Sequence, residues 1–517
     1  MILITSAAYV TAGLVAELGQ LPPCMLPVQN RRLYSHQLSL IPEGEKIVLS
    51  LPSDFQIDIY DRKQLDDRSV DIVFVPRGLK LGESIVYVLN VTSCYDEPLN
   101  ILHGDTLLAE LPKIRDCYSV AKAEDDYAWA YIEDEKQEKN VYAGFFSFSS
   151  QSLLIRKITE NNYDFMKGVE DYNSVKKLEK IPALQWFDFG LANSYYRSKS
   201  RLTTQRVFND LQINYYSVRK SSRDFRKILA EANWFLSIPA KLKRFTPAIW
   251  DYGMDGEQGF YEMEYFYLNS LAELYVFGKN PLFVWKNIFR VCADFIYSLS
   301  QFCPANSGEI ALQNIKLFGE KTRERLCCYS NRRGISLEKA WIVNNHEVPS
   351  ISEIVSETNR YLNIPKENFA HIMHGDFCFS NILYDFKSQS IRTLDPRGID
   401  INGNQTVYGD IRYDVAKLAH SVLGLYDFIL GGHFHYSETD EYNVELQFFI
   451  GETTVQIQEY FKNMKFAGYS LEELCVYPIL IHLFFSMLPL HDDSPLRQKA
   501  LLANALRLYV EFKNPNL

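Results

Sequence analysis

The sequence predicts two successive domains of different class: an α/β domain over about residues 1–200, then a two-lobed α+β domain. Three observations predict this. The early chain alternates near-continuous apolar runs with turns, as strands buried on both faces of an α/β sheet do. Beyond about residue 265 the apolar residues follow a helical period instead. The length of 517 residues exceeds what one hydrophobic core usually supports.

In chain order, "MILITSA", "KIVLSLP", "VDIVFVP", "SIVYVLNV", "LNILHGD", "YAWAYIE" and "VYAGFFSF" read as strands, with "NRRLYSHQLSLI" as a helix between them. The polar, basic "YYRSKSRLTTQR" marks a boundary near 200. A small β-rich lobe, 201–265, follows: "QRVFNDLQINYYSVRKSS" reads as two strands and "RDFRKILAEANWFLSI" as a helix. The large lobe, 266–517, reads as mostly helical, through "SLAELYVFG", "FVWKNIFRVCADFIYSLSQF", "VELQFFIGETTVQIQEYFKNM" and "QKALLANALRLYVEF".

Bulk properties exclude some function classes. The net charge of −10 gives no global basic field for a polyanion, so no nucleic-acid partner is expected. The "KLKR" run at 241–244 reads as a solvated surface patch. Nine cysteines, without a CxxC pair or a basic signal-peptide n-region, suit reduced thiols in a cytoplasmic protein. "VYPILIHLFFSMLPL" is too short to span a bilayer and reads as a buried helix. His433 and His435 in "GGHFHYSE" read as a strand edge in preference to a metal pair.

The densest chemistry lies in "HIMHGDFCFSNILYDFKSQSIRTLDPRG". A short apolar strand runs into an HGD loop, and Asn381 and Asp395 stand five and nineteen residues after Asp376. A hairpin between "NILYD" and "IRTLD" brings all three to one end of adjacent strands. Two of these oxygen ligands suit Mg²⁺, a hard cation. The third carboxylate is left to orient or deprotonate a hydroxyl, the division of labour phosphoryl transfer needs. Asp, Asn and Gly end turns everywhere, but the full array after an apolar strand is far more specific than a lone HGD.

"HGDFCFSNILYD…IRTLDPRG…YGDIRYDVAKLAHS" resembles the aminoglycoside phosphotransferase / choline kinase family over about 206–517. The resemblance implies a protein-kinase-like fold with Asp376 as catalytic base and Asn381 and Asp395 as Mg²⁺ ligands. Asp414 matches a structural helix-start position, and His374 reads as a shaper of the loop. Lys220 in "YYSVRKSS" stands where the fold needs a cation for the α- and β-phosphates. Glu231, eleven residues on, would hold that lysine. "GFYEMEYFYLN" resembles the hinge, where the backbone from Glu262 to Tyr265 would meet adenine. The chain departs from kinases in lacking a glycine-rich phosphate loop at "RVFNDLQINYY", so the resemblance implies ATP as donor and leaves GTP open.

The first 200 residues resemble the sugar nucleotidyltransferases, with a Rossmann-like fold. "MLPVQNRRLYSHQL", "GLKLGESIVYVL", "LNILHGDTLL" and "LQWFDFGLANSYYRSKS" carry the resemblance in order, and it implies Asp105 and Asp188 as a metal pair. Here too the chain departs. "TSAAYVTAGLVAEL" offers only Gly13 and Gly19 where the family has a glycine-rich loop, and Pro23 stands in place of the expected lysine. Side chains there block the close backbone approach a triphosphate needs, so this domain is read as degenerate.

The combined expectation is an ATP- and Mg²⁺-dependent phosphotransferase acting on a hydroxyl of a sugar or amino alcohol, in capsule or surface-glycan precursor synthesis. Two alternatives remain. One is a bifunctional kinase/nucleotidyltransferase making a nucleotide-activated precursor; the other is a non-catalytic protein that binds a sugar nucleotide. The sequence names neither the acceptor nor the oligomeric state.

Overall fold

The computed structural model describes residues 1–93, 97–123, 131–133, 139–203, 210–364 and 366–514. The chain forms two compact units: residues 1–203 with 277–279, and residues 204–276 with 280–517.

The first unit is built on a mixed sheet. Strands Val70–Val75, Ile47–Pro52, Ile2–Thr5 and Leu99–His103 run parallel in that spatial order. Lys139–Phe148 then adds antiparallel beside Leu99–His103. Cys117–Lys122 pairs antiparallel with Lys139–Phe148 in turn, and Glu179–Pro182 closes that edge. Ile47–Pro52 is buried at every position, which is why it reads as an unbroken apolar run.

One expected strand is a helix. "SIVYVLNV" lies within the helix Leu81–Thr92. Its β-branched residues suggested a strand, but Ile85, Val86, Val88 and Leu89 are its buried large apolar side chains, a helical stripe packed on the sheet. The helix start is fixed by the Glu83 carboxylate, which accepts from Lys80 N–H at 2.7 Å. Of "YAWAYIE", only 131–133 falls among the described residues, as the strand Tyr131–Glu133.

The second unit opens with a four-stranded antiparallel sheet in the order Asp210–Ile213, Ser217–Ser222, Gln258–Glu264, Ile249–Asp255. The first part of "QRVFND" lies outside the described residues. The helix Phe225–Ser237 packs on this sheet with Ile228, Ala232, Trp234 and Phe235 buried.

The rest of the unit is mainly helical. Val476–Met487 is buried at every residue except Tyr477, as an all-round apolar helix must be. Its one histidine is accommodated by hydrogen bonds: His482 Nε2 meets Thr358 Oγ1 at 2.8 Å and Nδ1 meets the Phe318 carbonyl at 3.0 Å. A second misreading sits in "VELQFFIGETTVQIQEYFKNM". Its first part is the strand Asn443–Phe448, and only Glu452–Lys462 is helical. Val444 and Leu446 alternate inward, a period of two inside a stretch read as 3.6. No helix among the described residues is long and apolar enough to cross a membrane.

Candidate functional site

The Asp376, Asn381 and Asp395 array of the second unit folds as strand, loop and hairpin. Ala370–Ile372 leads into the HGD loop, and Ile382–Asp385 pairs with Ser390–Thr393. The hairpin register puts Ile382 opposite Thr393, and Leu394 N–H continues the ladder to the Asn381 carbonyl at 2.9 Å. Asp395 therefore emerges beside Asn381. It leaves the strand in the left-handed region, at φ +54°, which Asp tolerates better than most residues. Asn381 Nδ2 donates to both the carbonyl and Oδ2 of Asp376, each at 3.0 Å. With its nitrogen so committed, the Asn381 side-chain oxygen, met only by a long 3.5 Å contact from Ser380 Oγ, is the atom that could bind a cation.

Two glycines make the close approaches possible. Gly375, at φ +82°, lies where a Cβ would stand 2.6 Å from Arg397 Cβ. Gly398, at φ +66°, lies where a Cβ would stand 2.2 Å from the Ala230 carbonyl oxygen. The loop after Asp395 thus rests directly on the helix that carries Glu231.

That contact assembles the second half of the site. Lys220 stands opposite Tyr261 in the sheet. Its ammonium lies 2.7 Å from Glu231 Oε2 and 3.0 Å from Asp395 Oδ1. The Tyr261 hydroxyl donates to Glu231 at 3.1 Å and reaches Asp395 at 3.4 Å. Burial opposes charge on Lys220, but Asp395 and Glu231 outweigh it and raise its pKa, so it stays an ammonium. Trp234, on the same helix as Glu231, ties that helix to the end of the Ala370–Ile372 strand by donating to the Met373 carbonyl at 2.9 Å.

The helix Ile411–Val422 braces the loop from the other side. Asp414, fully buried, accepts from the backbone N–H groups of His374 and Gly375, both at 2.7 Å. Ser421 accepts from Phe379 N–H at 3.1 Å. Between them, Lys417 lies 2.8 Å from Asp376 Oδ1. Burial pushes the Asp376 carboxyl up, but the Lys417 and Arg397 cations prevail and hold it at about 2. Burial pushes Asp414 up to about 7 despite its two N–H donors. His374 is buried, accepts from Asp376 N–H at 3.3 Å, and is pushed down by burial to about 4. It is neutral at pH 7 and shapes the loop.

The structure thus brings together Asp376, Asn381, Asp395, Lys220 and Glu231. Glu262 lies on the opposite face of its strand from Tyr261 and accepts from Ser217 Oγ. Tyr265 donates its N–H to the Tyr216 carbonyl at 2.9 Å, and its ring packs edge-on to Tyr267. Neither side chain joins the cluster. Lys417 was missed in the sequence. The available signal was Asp414, Lys417 and Ser421 at i, i+3 and i+7, one face of one helix.

In the first unit, Asp105 follows the parallel strand Leu99–His103, at its carboxyl end, where open α/β sheets bind ligands. Asp188 ends the strand Trp186–Asp188, opposite Thr106. A Cβ on Gly190 would stand 2.8 Å from Asp105 Oδ2 and 3.3 Å from Asp188 Oδ1, so both carboxylates flank the same glycine. Burial raises the Asp105 pKa, which a bound cation would reverse. Pro23, in the place of the expected lysine, opens a short 3₁₀ turn, Pro23–Met25.

Searches for a matching family model and for a matching curated protein found none. Among solved structures the chain is similar to two kinds of protein. One is CTP:phosphocholine cytidylyltransferase from Streptococcus pneumoniae, at 14% identity and TM-score 0.30, over 39% of this chain and 98% of that one. Another is a thermostable mutant of an aminoglycoside phosphotransferase in ternary complex with AMP-PNP and hygromycin B. It is 12% identical with TM-score 0.34, over 61% of this chain and 99% of that one. An aminoglycoside-3′-phosphotransferase of type VIII is similar at 12% identity and TM-score 0.27, over 60% of this chain and 96% of that one.

Proposed function

We propose that the second unit transfers the terminal phosphoryl group of ATP to a hydroxyl of a small molecule, a sugar or an amino alcohol. The observation that carries the reading is the convergence of Lys220, Glu231 and Asp395 on one side with Asp376 and Asn381 on the other. Lys220 meets the donor phosphates. Asn381, through its side-chain oxygen, and Asp395 are the residues that would hold Mg²⁺, whose chemistry there would be neutralising phosphate charge. The bound acceptor presents its hydroxyl to Asp376. That hydroxyl oxygen forms the new bond to the terminal phosphorus as the bond to the bridging oxygen breaks, and ADP leaves. A carboxylate at about 2 is a weak base, so Asp376 acts chiefly by orienting the hydroxyl. It takes the proton late, as the oxygen–phosphorus bond forms.

An ATP donor implies a cytoplasmic setting. A mass-spectrometric screen of sugars and amino alcohols with ATP and Mg²⁺ tests the reading. Transfer that persists unchanged in Asp376→Asn sinks this assignment of the site, and absence of transfer to every compound favours a non-catalytic binding role.

The Asp105/Asp188 pair favours a second reading for the first unit: nucleotidyl transfer to a sugar phosphate, which would make the chain bifunctional. Two successive activations of one precursor suit surface-glycan synthesis. The check is pyrophosphate release from an NTP and a sugar phosphate, which must vanish in Asp105→Ala.

A further inference from the structure

Beside the catalytic loop runs a helix interrupted by one π turn: Ser307–Ile315, then Lys316–Glu320, then Lys321–Arg333. Such turns recur at functional sites. Phe318, within the π turn, stacks on Tyr413 at 5.9 Å between ring centroids. Lys321 and Arg325 follow at i+3 and i+7 on the face that Phe318 sets against Tyr413. From the other side Arg397 donates to the Tyr413 hydroxyl at 2.7 Å, and its N–H to the His374 carbonyl at 2.8 Å. Tyr413 sits in the next turn of the bracing helix before Lys417. Four cations therefore gather around one tyrosine next to Asp376.

Their partners do not neutralise them. Lys417 is paired with Asp376. Arg325 donates only to a neutral group, the Ser486 carbonyl, at 2.9 Å. Among the described residues, Lys321, Arg325 and Arg397 form no ion pair with a carboxylate, and Lys321 makes no hydrogen bond. The nearby acids are Asp376, engaged by Lys417, Asp414, engaged by backbone N–H groups, and the Tyr413 hydroxyl, whose pKa is lowered, against burial, by Arg397, Lys417 and Lys321 and which the four cations share. Half-buried cations left without counterions beside a site imply a counterion brought by the ligand.

The geometry points to an acceptor that carries an anionic group, a carboxylate or phosphate, seated against Lys321, Arg325 and Arg397 while its hydroxyl faces Asp376. This inference rests on the phosphotransfer reading and narrows its acceptor class: amino alcohols and aminoglycoside-like polycations are disfavoured by the same charges. Burial first, then the neighbouring Arg397, Arg325 and Lys417, push Lys321 down to about 8. A bound anion would restore it.

The test uses the full chain saturated with AMP-PNP and Mg²⁺. Thermal midpoints are compared on adding glucuronate, glucose 6-phosphate, glucose or ethanolamine at fixed ionic strength. The expected result is an upward shift with one or both anions and none with glucose or ethanolamine. In Lys321→Met, which loses no hydrogen bond, anion affinity falls about tenfold or more while the AMP-PNP shift stays; Lys321→Arg restores the response. A shift with glucose or ethanolamine as large as with the anions overturns the inference. So does an anion response that survives Lys321→Met, or silence from all four compounds. Loss of the AMP-PNP shift in Lys321→Met assigns the cation to the donor and overturns it too. The phosphotransfer reading fails separately, and takes the inference with it, if AMP-PNP and Mg²⁺ give the wild-type protein no shift.

Discussion

Lys417 Nζ lies 2.8 Å from Asp376 Oδ1, so the carboxylate of the HGD loop is held by a cation three residues along from Asp414, the loop's own buried anchor. Removing that cation as Lys417→Met frees the Asp376 carboxyl to rise toward the ordinary range. The expected outcome is a ten- to hundredfold fall in kcat, roughly the cost of losing an outer partner. The acid limb of the pH–rate profile should move upward by about a unit or more. An unchanged profile means Lys417 does not set the Asp376 charge.

The same pair predicts an acid limit to stability. Asp376 at about 2 lies below its ordinary value of 3.8, so its ionised form favours the fold above the ordinary carboxylate range. That contribution is lost as pH falls from about 4 toward 2. Urea midpoints measured across that window should drop more steeply in the wild type than in Lys417→Met.

Asp414 gives the opposite slope. Its carboxyl, normally at 3.8, is raised to about 7, so its contribution is fully present below pH 4 and declines as pH rises through 7. In Asp414→Asn the slope between pH 4 and 7 should flatten. Overall stability should fall by about 1–3 kcal/mol, since the amide offers one acceptor to two N–H donors.

Lys220 and Glu231 are both buried. Lys220→Met leaves two carboxylates facing each other and should cost about 3–5 kcal/mol as well as donor binding. The double change Lys220→Met with Glu231→Leu should recover part of the stability and none of the activity. Chemical denaturation and AMP-PNP titration separate the two effects.

The array of Asp376, Asn381 and Asp395 was legible because local strands and one hairpin carry it. Register places those residues together with no help from distant chain. Lys220 and Glu231 were legible for the same reason, a strand and the helix that follows it. Lys417 was not, because its importance arises from a helix that docks on the loop only in the folded chain. "SIVYVLNV" failed because β-branched residues favour strands until the packing of a helical stripe overrides them. "VELQFF" failed because a short strand next to a helix shares its apolar residues. Glu262 and Tyr265 were placed by analogy with a hinge, where backbone matters and side-chain direction does not.

Gly398→Ala should be far costlier than its chemistry suggests. The added methyl meets the Ala230 carbonyl at 2.2 Å in a left-handed conformation, so a loss of about 2–4 kcal/mol and of donor affinity is expected. Gly256, also at positive φ but with open space around it, is the control, at about 1–2 kcal/mol.

Because Gly398 seats its loop bare against Ala230, no side chain lies between them to act as a cushion. The Phe225–Ser237 helix and the Asp395 loop are therefore coupled backbone to backbone. A shift of that helix by even an ångström would reach the Asp395 carboxylate directly, and Trp234, bonded to the Met373 carbonyl, would carry it to the loop that holds Asp376.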